Sequence, residues 1–270
     1  MKTLGNYRMT QTVDLNADMG ESFGAWKMGD DAALLDIVTS ANVACGFHAG
    51  DWDVMAATMR AATQKNVGIG AHPGFPDLHG FGRQRMNLST GSLQNLVRYQ
   101  LGAAQAMARA AGSSVRHLKL HGALANMTSE DEAMAKTCYE AALDIAPDTI
   151  IMVLAGTAQQ RAASALGCKV ACEIFADRAY KDDATLVDRS LPGAVIHDPD
   201  LAGRRMAEMV RKGAIITESG KHIETRIDTI CLHGDTPTAV RIATEVRRAL
   251  NDSSVTLAQF EGRPVWAQDL

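Results

Sequence analysis

The sequence predicts a single-domain α/β barrel built around seven parallel strands. Short apolar or β-branched runs alternate with longer segments of helical period, which is typical of βα units that form a parallel sheet. The 270 residues fall within the range of one-domain barrels, and 46% of them are hydrophobic, enough to bury a sizeable core. We therefore expect one domain over residues 1–270, with its core at about 12–255.

Seven segments are predicted to form the barrel strands. In chain order they are Thr12–Asn16, Ala41–Cys45, Val67–Ala71, His117–Leu120, Thr149–Leu154, Lys169–Ile174 and Thr229–Leu232. Most of them precede a segment with apolar residues at helical spacing. Ala214–Thr217 is an eighth candidate strand.

Four helix starts are predicted in these units. Asp51 precedes an apolar stripe at helical spacing, and Asp198 and Thr236 each precede a proline at the first helical position. Ser129, with Glu132 three residues later, resembles a capping box. Two polar segments, His72–Thr90 and Phe175–His197, are longer than ordinary connections between a strand and a helix. We expect both to lie over one end of the barrel.

The composition excludes several classes of partner. The formal net charge is −4, so a nucleic acid or an anionic membrane surface is a poor fit. Five cysteines, without zinc-knuckle spacing, favour a reducing compartment over a disulfide framework. No signal-peptide core and no apolar run of membrane-spanning length is visible. We expect a cytoplasmic protein whose partner is a small solute or another protein.

Polar residues follow the predicted strands, one group to each of six strands. The groups are Asp14, Asn16 and Asp18; His48 and Asp51; His72 and Asp77; Lys119 and His121; Glu173, Asp177 and Arg178; and His233 with Asp235. The carboxyl ends of parallel barrel strands meet at one face, where barrel active sites lie. These six groups are therefore predicted to form one pocket.

Two of these residues have competing interpretations. A buried aspartate without a partner is too costly to keep ionised, so Asp14 either faces a polar pocket with Asn16 or is an ion-paired structural residue. Lys119 offers a cation for an oxyanion or a carboxylate. Alternatively, Lys119 pairs with Asp14 or Glu173 and only stabilises the barrel.

The histidines leave a metal site open. His48 and His72, together with Asp18, would hold a divalent metal with one position left for water. The alternatives are a general acid and base, or loop histidines that bond the backbone. No His-x-x-x-His or His-Glu-x-x-His spacing is present, and no phosphate-binding loop appears, so the chain carries no nucleotide motif.

Six segments resemble the LamB/YcsF family. They are Val13–Gly24, Asn42–Asp51, Gly70–Asp77, Lys119–Leu124, Glu173–Tyr180 and Ile230–Asp235. Motifs of this length in the same order are highly specific, and they span nearly the whole chain. The resemblance implies an incomplete, seven-stranded, TIM-like barrel of the glycoside hydrolase and deacetylase type.

The same resemblance implies an activity and two protein partners. The implied reaction is 5-oxo-L-proline + ATP + 2 H2O → L-glutamate + ADP + phosphate, performed with partner subunits B and C. Because this chain lacks a phosphate loop, the hypothesis is that ATP is consumed by the complex, whose partner subunits phosphorylate the lactam oxygen. This chain would then hydrolyse the activated ring.

The hypothesis assigns a role to each candidate residue. Asp14 would be the general base, and Lys119 and His121 would steady the oxyanion or phosphate. The substrate would be bound by Asn16, His48, His72, Glu173, Arg178 and His233. Two rivals remain: a metal-dependent carbohydrate deacetylase or amidohydrolase that uses Asp18, His48 and His72, and a non-catalytic subunit that presents 5-oxoproline to its partners.

Overall fold

Seven parallel strands close into a barrel in the computed structural model, which describes residues 11–234 and 238–265. Asp235 lies outside the described residues. The described residues contain ten strands, of which seven form the barrel: β1 (Thr12–Met19), β2 (Ser40–Ala44), β3 (Gly68–His72), β4 (Val115–Lys119), β5 (Ile150–Leu154), β6 (Val170–Phe175), β7 (Ala214–Ile216), β8 (His222–Glu224), β9 (Thr229–Leu232) and β10 (Thr256–Leu257). The ring order is β1-β2-β3-β4-β5-β6-β9, and β9 pairs again with β1. This closed ring confirms the predicted fold class and all seven predicted barrel strands.

Helices follow the barrel strands along the chain. They are α1 (Asp31–Leu34), α2 (Trp52–Gln64), α3 (Thr90–Ala110), α4 (Gly122–Glu130), α5 (Glu132–Ile145), α6 (Ala158–Leu166), α7 (Pro199–Lys212) and α8 (Ala239–Asp252). Within the described residues, none of these helices is long and apolar enough to cross a membrane.

Two of the four predicted helix starts are confirmed, and the one at Thr236 lies outside the described residues. The Asp51 carboxylate accepts hydrogen bonds from the first backbone N–H groups of α2, and Asp198 does the same for α7. The capping box at Ser129 is wrong, because α4 continues to Glu130 and places Ser129 inside a helix. The cap of α5 is Asp131 instead, whose side chain accepts from the Met134 N–H.

The eighth candidate strand lies outside the barrel. Ala214–Ile216 forms an antiparallel pair with β8, so this segment is a short hairpin between α7 and β9. The packed structure also extends beyond Val255. Phe260 packs with Ile150, Met152 and Ala171 in a small apolar cluster.

The two faces of β1 show why the barrel has a polar interior. Val13, Leu15 and Ala17 belong to the hydrophobic core that joins strands and helices. The alternate side chains of Asp14, Asn16 and Asp18 are also buried, but they bond to polar groups on neighbouring strands. Strand alternation thus separates an apolar outer face from a hydrogen-bonded inner one.

Gly70 in β3 makes room for a histidine inside the barrel. A Cβ atom at this position would lie 2.0 Å from His117 Nε2, which is bonded to Asn42 Oδ1 at 2.7 Å. We expect Gly70→Ala to lower the free energy of unfolding by about 3 kcal/mol, because the buried ring must move. Gly102→Ala is the matched control, since nothing lies within 4 Å of that Cβ in α3. Urea unfolding should show a gain of about 0.5–1 kcal/mol for Gly102→Ala, and equal effects of the two changes would contradict the packing account.

Candidate functional site

A column of hydrogen bonds runs through the barrel interior from Asp14 to Asp18. Thr229 Oγ1 donates to Asp14 Oδ2 and accepts from Asn16 Nδ2. Asn42 Nδ2 then donates both to Asn16 Oδ1 at 2.7 Å and to Asp18 Oδ1 at 2.9 Å. The two aspartates therefore share a strand face but lie at opposite ends of this column.

Asp14 occupies the end of the column where β1 begins. Its carboxylate accepts hydrogen bonds from the hydroxyls of Thr39, Ser40 and Thr229, and its side chain is fully buried. Burial raises the pKa of Asp14 to about 6, although the three hydroxyls oppose the shift. Both carboxylate oxygens of Asp14 therefore have hydrogen-bond donors inside the barrel.

The raised pKa of Asp14 predicts a pH dependence of stability. The folded chain holds the Asp14 proton more tightly than the unfolded chain, whose pKa is near 3.8, so this contribution is present at low pH and is lost as the pH rises from about 4 to about 6. The loss amounts to about 3 kcal/mol. We expect the free energy of unfolding of the wild type, minus that of Asp14→Asn, to fall by this amount between pH 4 and pH 7. Parallel curves for the two proteins would contradict the shift.

Lys119 on β4 lies between two carboxylates, one on β1 and one on β6, the two strands that flank β9. Its ammonium is 2.9 Å from Asp18 Oδ1 on β1 and 2.9 Å from Glu173 Oε1 on β6. It also donates to Cys231 Sγ on β9 at 2.9 Å. Lys119 is only 4% exposed, so its ammonium depends on these three partners and not on bulk water. The predicted alternative in which Lys119 pairs with Glu173 is present, whereas its second carboxylate is Asp18 and not Asp14.

The two carboxylates beside Lys119 differ in acidity. Burial opposes ionisation of Asp18, yet His72 and Lys119 hold its pKa well below the usual value. Burial instead raises the pKa of Glu173, with only partial compensation from Lys119. Burial also disfavours the ammonium, but Asp18, Cys231 and Glu173 raise the pKa of Lys119 well above its usual value. When the environments of two neighbouring carboxyl groups move their pKa values in opposite directions, one group can act as a base and the other as an acid.

Three histidines and one glutamate form a buried group beside this centre. We call Glu21, His48, His72 and His121 the histidine cluster; one ligand atom from each lies within 4.8 Å of the others. His72 Nε2 lies 3.4 Å from Asp18 Oδ2, which joins the cluster to the Lys119 centre. Burial and the neighbouring rings hold the pKa values of His48 and His121 well below the usual value. Imidazole and carboxylate groups in this arrangement could hold a divalent metal ion.

Loop geometry brings the rings of the cluster together. Gly82 has a φ of +64°, and a Cβ there would lie 2.6 Å from His48 Cβ and 2.8 Å from His121 Cδ2. His48 then stacks on His121 with ring centroids 3.6 Å apart. This contact depends on the long polar segment after β3, which was predicted to cover the end of the barrel.

The second long polar segment supplies cations at the mouth of the barrel. Arg178 donates to the backbone oxygens of Val187 and Ala194, and burial lowers its pKa to about 10. Arg189 Nη2 lies 3.0 Å from His233 Nε2, while His233 Nδ1 lies 2.7 Å from Asp177 Oδ1. The arginines thus lie above the buried carboxylates and give the mouth a positive charge.

A cavity of about 510 Å³ opens between these groups. Seven predicted site residues line it: Asp18, His72, Lys119, His121, Glu173, Arg178 and His233. Three others do not line it, because Asp14 and Asn16 lie deeper in the barrel and His48 lies behind the His121 ring. The cavity wall also contains Glu21, Arg83 and Arg189.

The residues missed by sequence reasoning lie mostly in loops. Glu21 follows the β1 motif directly, and its acidic side chain next to Gly20 was the available signal. Arg83 and Arg189 lie in the two long polar segments, and their position in those segments was the only clue. Asn42 and His117 complete the interior column, and their polarity within apolar strands was the signal there.

Known proteins resemble this chain over most of its length. The A subunit of the 5-oxoprolinase of Ruegeria pomeroyi is 71% identical over 249 residues, which is 92% of this chain and 98% of that protein. The crystal structure of a lactam utilization protein from Thermus thermophilus is 40% identical with a TM-score of 0.87, and the match covers 93% of this chain and 100% of that one.

A more distant structure shares the fold alone. The family 4 carbohydrate esterase from Streptomyces lividans is 10% identical, with a TM-score of 0.51 over 94% of this chain and 97% of that one. It agrees with the deacetylase-type barrel expected from the sequence. The family model described as LamB/YcsF family matches residues 13–264. Together with the relatives above, this match shows that the chain belongs to the LamB/YcsF family.

Proposed function

We propose that this chain is the hydrolytic subunit of an ATP-dependent 5-oxoprolinase and acts with partner subunits B and C. The observation that carries the proposal is the buried Asp18–Lys119–Glu173 centre at the floor of a cavity, in a chain 71% identical to the A subunit of a 5-oxoprolinase. ATP is consumed by the complex, and the partner subunits supply its binding site. The need for ATP places the reaction in the cytoplasm.

The proposed sequence of steps balances the overall reaction. Partner subunits transfer the γ-phosphoryl group of ATP to the lactam oxygen and release ADP. One water adds to the activated ring carbon, the carbon–nitrogen bond breaks, and the nitrogen leaves as the amine of an acyl phosphate. A second water hydrolyses this acyl phosphate to L-glutamate and phosphate. The chain described here supplies the environment for the first water attack and for ring opening.

Each residue of the Asp18–Lys119–Glu173 centre has a separate role in ring opening. Asp18 takes the proton of the attacking water, because Asn42 and Lys119 hold its carboxylate as an anion at the cavity floor. Lys119 places a cation beside the oxygen of the added water, where negative charge develops as the proton leaves. Glu173 gives a proton to the departing nitrogen. We assign the base role to Asp18 and not to Asp14, because only Asp18 lines the cavity.

The positive mouth fits the anionic groups of the substrate. The carboxylate of 5-oxoproline carries one negative charge and the transferred phosphoryl group carries more. Arg178 and Arg189 line the cavity above Lys119 and provide two cations for these groups. His233 is held between Asp177 and Arg189 and fixes the position of Arg189. His72 and His121 complete the wall on the other side.

A complementation experiment tests the proposed function in cells. In a Ruegeria pomeroyi strain that lacks its own gene for the A subunit, this chain should restore growth on 5-oxoproline as the sole nitrogen source. The variant Asp18→Asn should not restore growth, although it should accumulate to the wild-type level. Growth with Asp18→Asn would contradict the assigned centre, and failure of the wild-type chain at a normal level would contradict the function.

The metal-dependent deacetylase or amidohydrolase stays a second prediction. The histidine cluster is the observation that favours it, although the ligand atoms that converge come from Glu21 and His121 as well as His48 and His72. Asp18, a metal candidate from the sequence, is paired with Lys119 instead. Hydrolysis of an acetylated sugar or a simple amide without ATP would favour this function over the coupled one.

A further inference from the structure

We propose that the histidine cluster binds one divalent transition-metal ion, with Glu21 Oε1, His48 Nε2, His72 Nε2 and His121 Nδ1 as ligands. The site does not depend on the proposed lactam hydrolysis, and it stands on the tautomers, spacing and burial of these four side chains.

The tautomers of two rings are fixed by backbone carbonyls. His72 Nδ1 lies 2.8 Å from the carbonyl oxygen of Lys119, and His121 Nε2 lies 2.8 Å from that of Phe81. A carbonyl oxygen only accepts, so both of these nitrogens carry their hydrogens. The remaining nitrogens, His72 Nε2 and His121 Nδ1, then face each other at 3.0 Å with their lone pairs when both rings are neutral. A positive centre between them removes this repulsion.

Backbone-anchored histidines of this kind are typical of metal sites. A metal-ligating imidazole usually donates its other N–H to a carbonyl or carboxylate, which fixes the orientation of the ring. Both His72 and His121 meet this condition through different strands and loops. The anchoring also leaves the correct nitrogen of each ring exposed to the shared space.

The spacing of the ligand atoms suits one ion. Two nitrogens bound to a tetrahedral zinc ion lie about 3.3 Å apart, close to the 3.0 Å that separates His72 Nε2 from His121 Nδ1. Glu21 Oε1 lies 3.8 Å from His48 Nε2 and 3.9 Å from His121 Nδ1. Small movements of Glu21, His72 and His121 would bring their three ligand atoms into one coordination shell, which His48 joins when its ring turns.

His48 provides an independent indication of a ligand. It is 0% exposed, and neither of its ring nitrogens has a hydrogen-bond partner among the described residues. A buried imidazole without partners is costly unless something else meets its nitrogens. Its ring is stacked parallel to His121, so it must turn to reach a shared ion. Since no hydrogen bond to the described residues holds the ring, the turn breaks none.

The donor set selects the class of metal. Three imidazoles and one carboxylate suit Zn²⁺, Co²⁺ or Ni²⁺, whereas Mg²⁺ and Ca²⁺ prefer oxygen ligands. All four residues are buried, and Glu21, His72 and His121 also line the cavity, which gives an ion a route to the site. An ion held here supplies a Lewis acid next to Asp18.

Metal binding to the full-length chain tests this site without an activity assay. After chelator treatment and dialysis, we expect titration calorimetry and metal analysis to give one Zn²⁺ per chain, and Co²⁺ to give the intense visible absorption of four-coordinate ions. His72→Asn and His121→Asn should each weaken Zn²⁺ binding by roughly 100-fold or more, because each removes an anchored ligand. His48→Asn should weaken it less, by about tenfold, since that ring must turn before it binds.

Matched controls separate this site from adventitious binding. His79→Asn changes an exposed histidine in the same long loop and should bind Zn²⁺ like the wild type. If a histidine variant fails to fold, Glu21→Gln, which keeps the shape of the side chain, should reduce the Zn²⁺-dependent rise in Tm. Far less than one ion per chain, unchanged binding in His72→Asn and His121→Asn, or loss of binding in His79→Asn would overturn the proposal.

Discussion

Asp18→Asn is expected to lower the rate of glutamate release in the complete enzyme mixture by roughly 10²–10⁴-fold. The variant keeps the size and one oxygen of the side chain but removes the anion that would accept the proton of water. Because a base acts during the chemical step, the effect should appear in kcat with little change in KM for 5-oxoproline. Steady-state kinetics with purified subunits measures both.

Asp14→Asn is the matched control for this prediction. It removes a second buried carboxyl from the same face of the same strand, four residues earlier, outside the cavity wall. We expect kcat to stay within a few-fold of the wild type, while the pH dependence of stability changes as described above. Equal losses of kcat in the two variants would contradict the assignment of the base to Asp18.

Lys119→Met is expected to have the second large effect, on both stability and turnover. The change leaves Asp18 and Glu173 buried without their shared cation, so the free energy of unfolding should fall by about 3–5 kcal/mol. Turnover should fall by roughly 10²–10³-fold, because the developing oxyanion loses its cation. Urea unfolding and glutamate release measure the two effects.

A double variant separates the two roles of Lys119. Adding Glu173→Gln to Lys119→Met removes one of the stranded carboxylates and should restore part of the lost stability. It should restore none of the turnover, since the cation is still absent and Glu173 no longer gives a proton to the departing nitrogen. Recovery of turnover in the double variant would contradict the catalytic roles of both Lys119 and Glu173.

Much of the fold was predictable because its signals are local. Short apolar runs predicted all seven barrel strands, and Asp51 and Asp198 marked helix starts through their own side chains. Ser129 failed because a capping box competes with the continuation of the preceding helix, which depends on packing. The hairpin at Ala214–Ile216 was ambiguous for the same reason, since its partner strand β8 is short and polar.

The depth of each site residue was harder to predict than its face. Alternation places Asp14, Asn16 and Asp18 on one face of β1, but it does not say which of them reaches the cavity. That depends on the stagger between strands, which pairs Asp14 with Thr229 and Asp18 with Asn42. Sequence reasoning therefore predicted a base on the inner face of β1, at Asp14, which lies deeper in the barrel than Asp18, the base proposed here.

The positions of the loop residues follow from tertiary contacts. His48 and Glu21 come after the strands, and nothing in their spacing predicts that they approach His121 within 4 Å. Arg178 was identified because it closely follows β6, whereas Arg189 lies eleven residues further along the loop. Its contact with His233 depends on how the segment folds over the barrel mouth.

Glutamate release from 5-oxoproline and ATP tests the central claim most directly, with ADP measured in the same samples. The assay compares this chain alone, its two partner subunits alone, and all three together. We predict glutamate only from the complete mixture, in a one-to-one ratio with ADP. Glutamate from the two partners without this chain, or none from the complete mixture of folded subunits, would contradict the account.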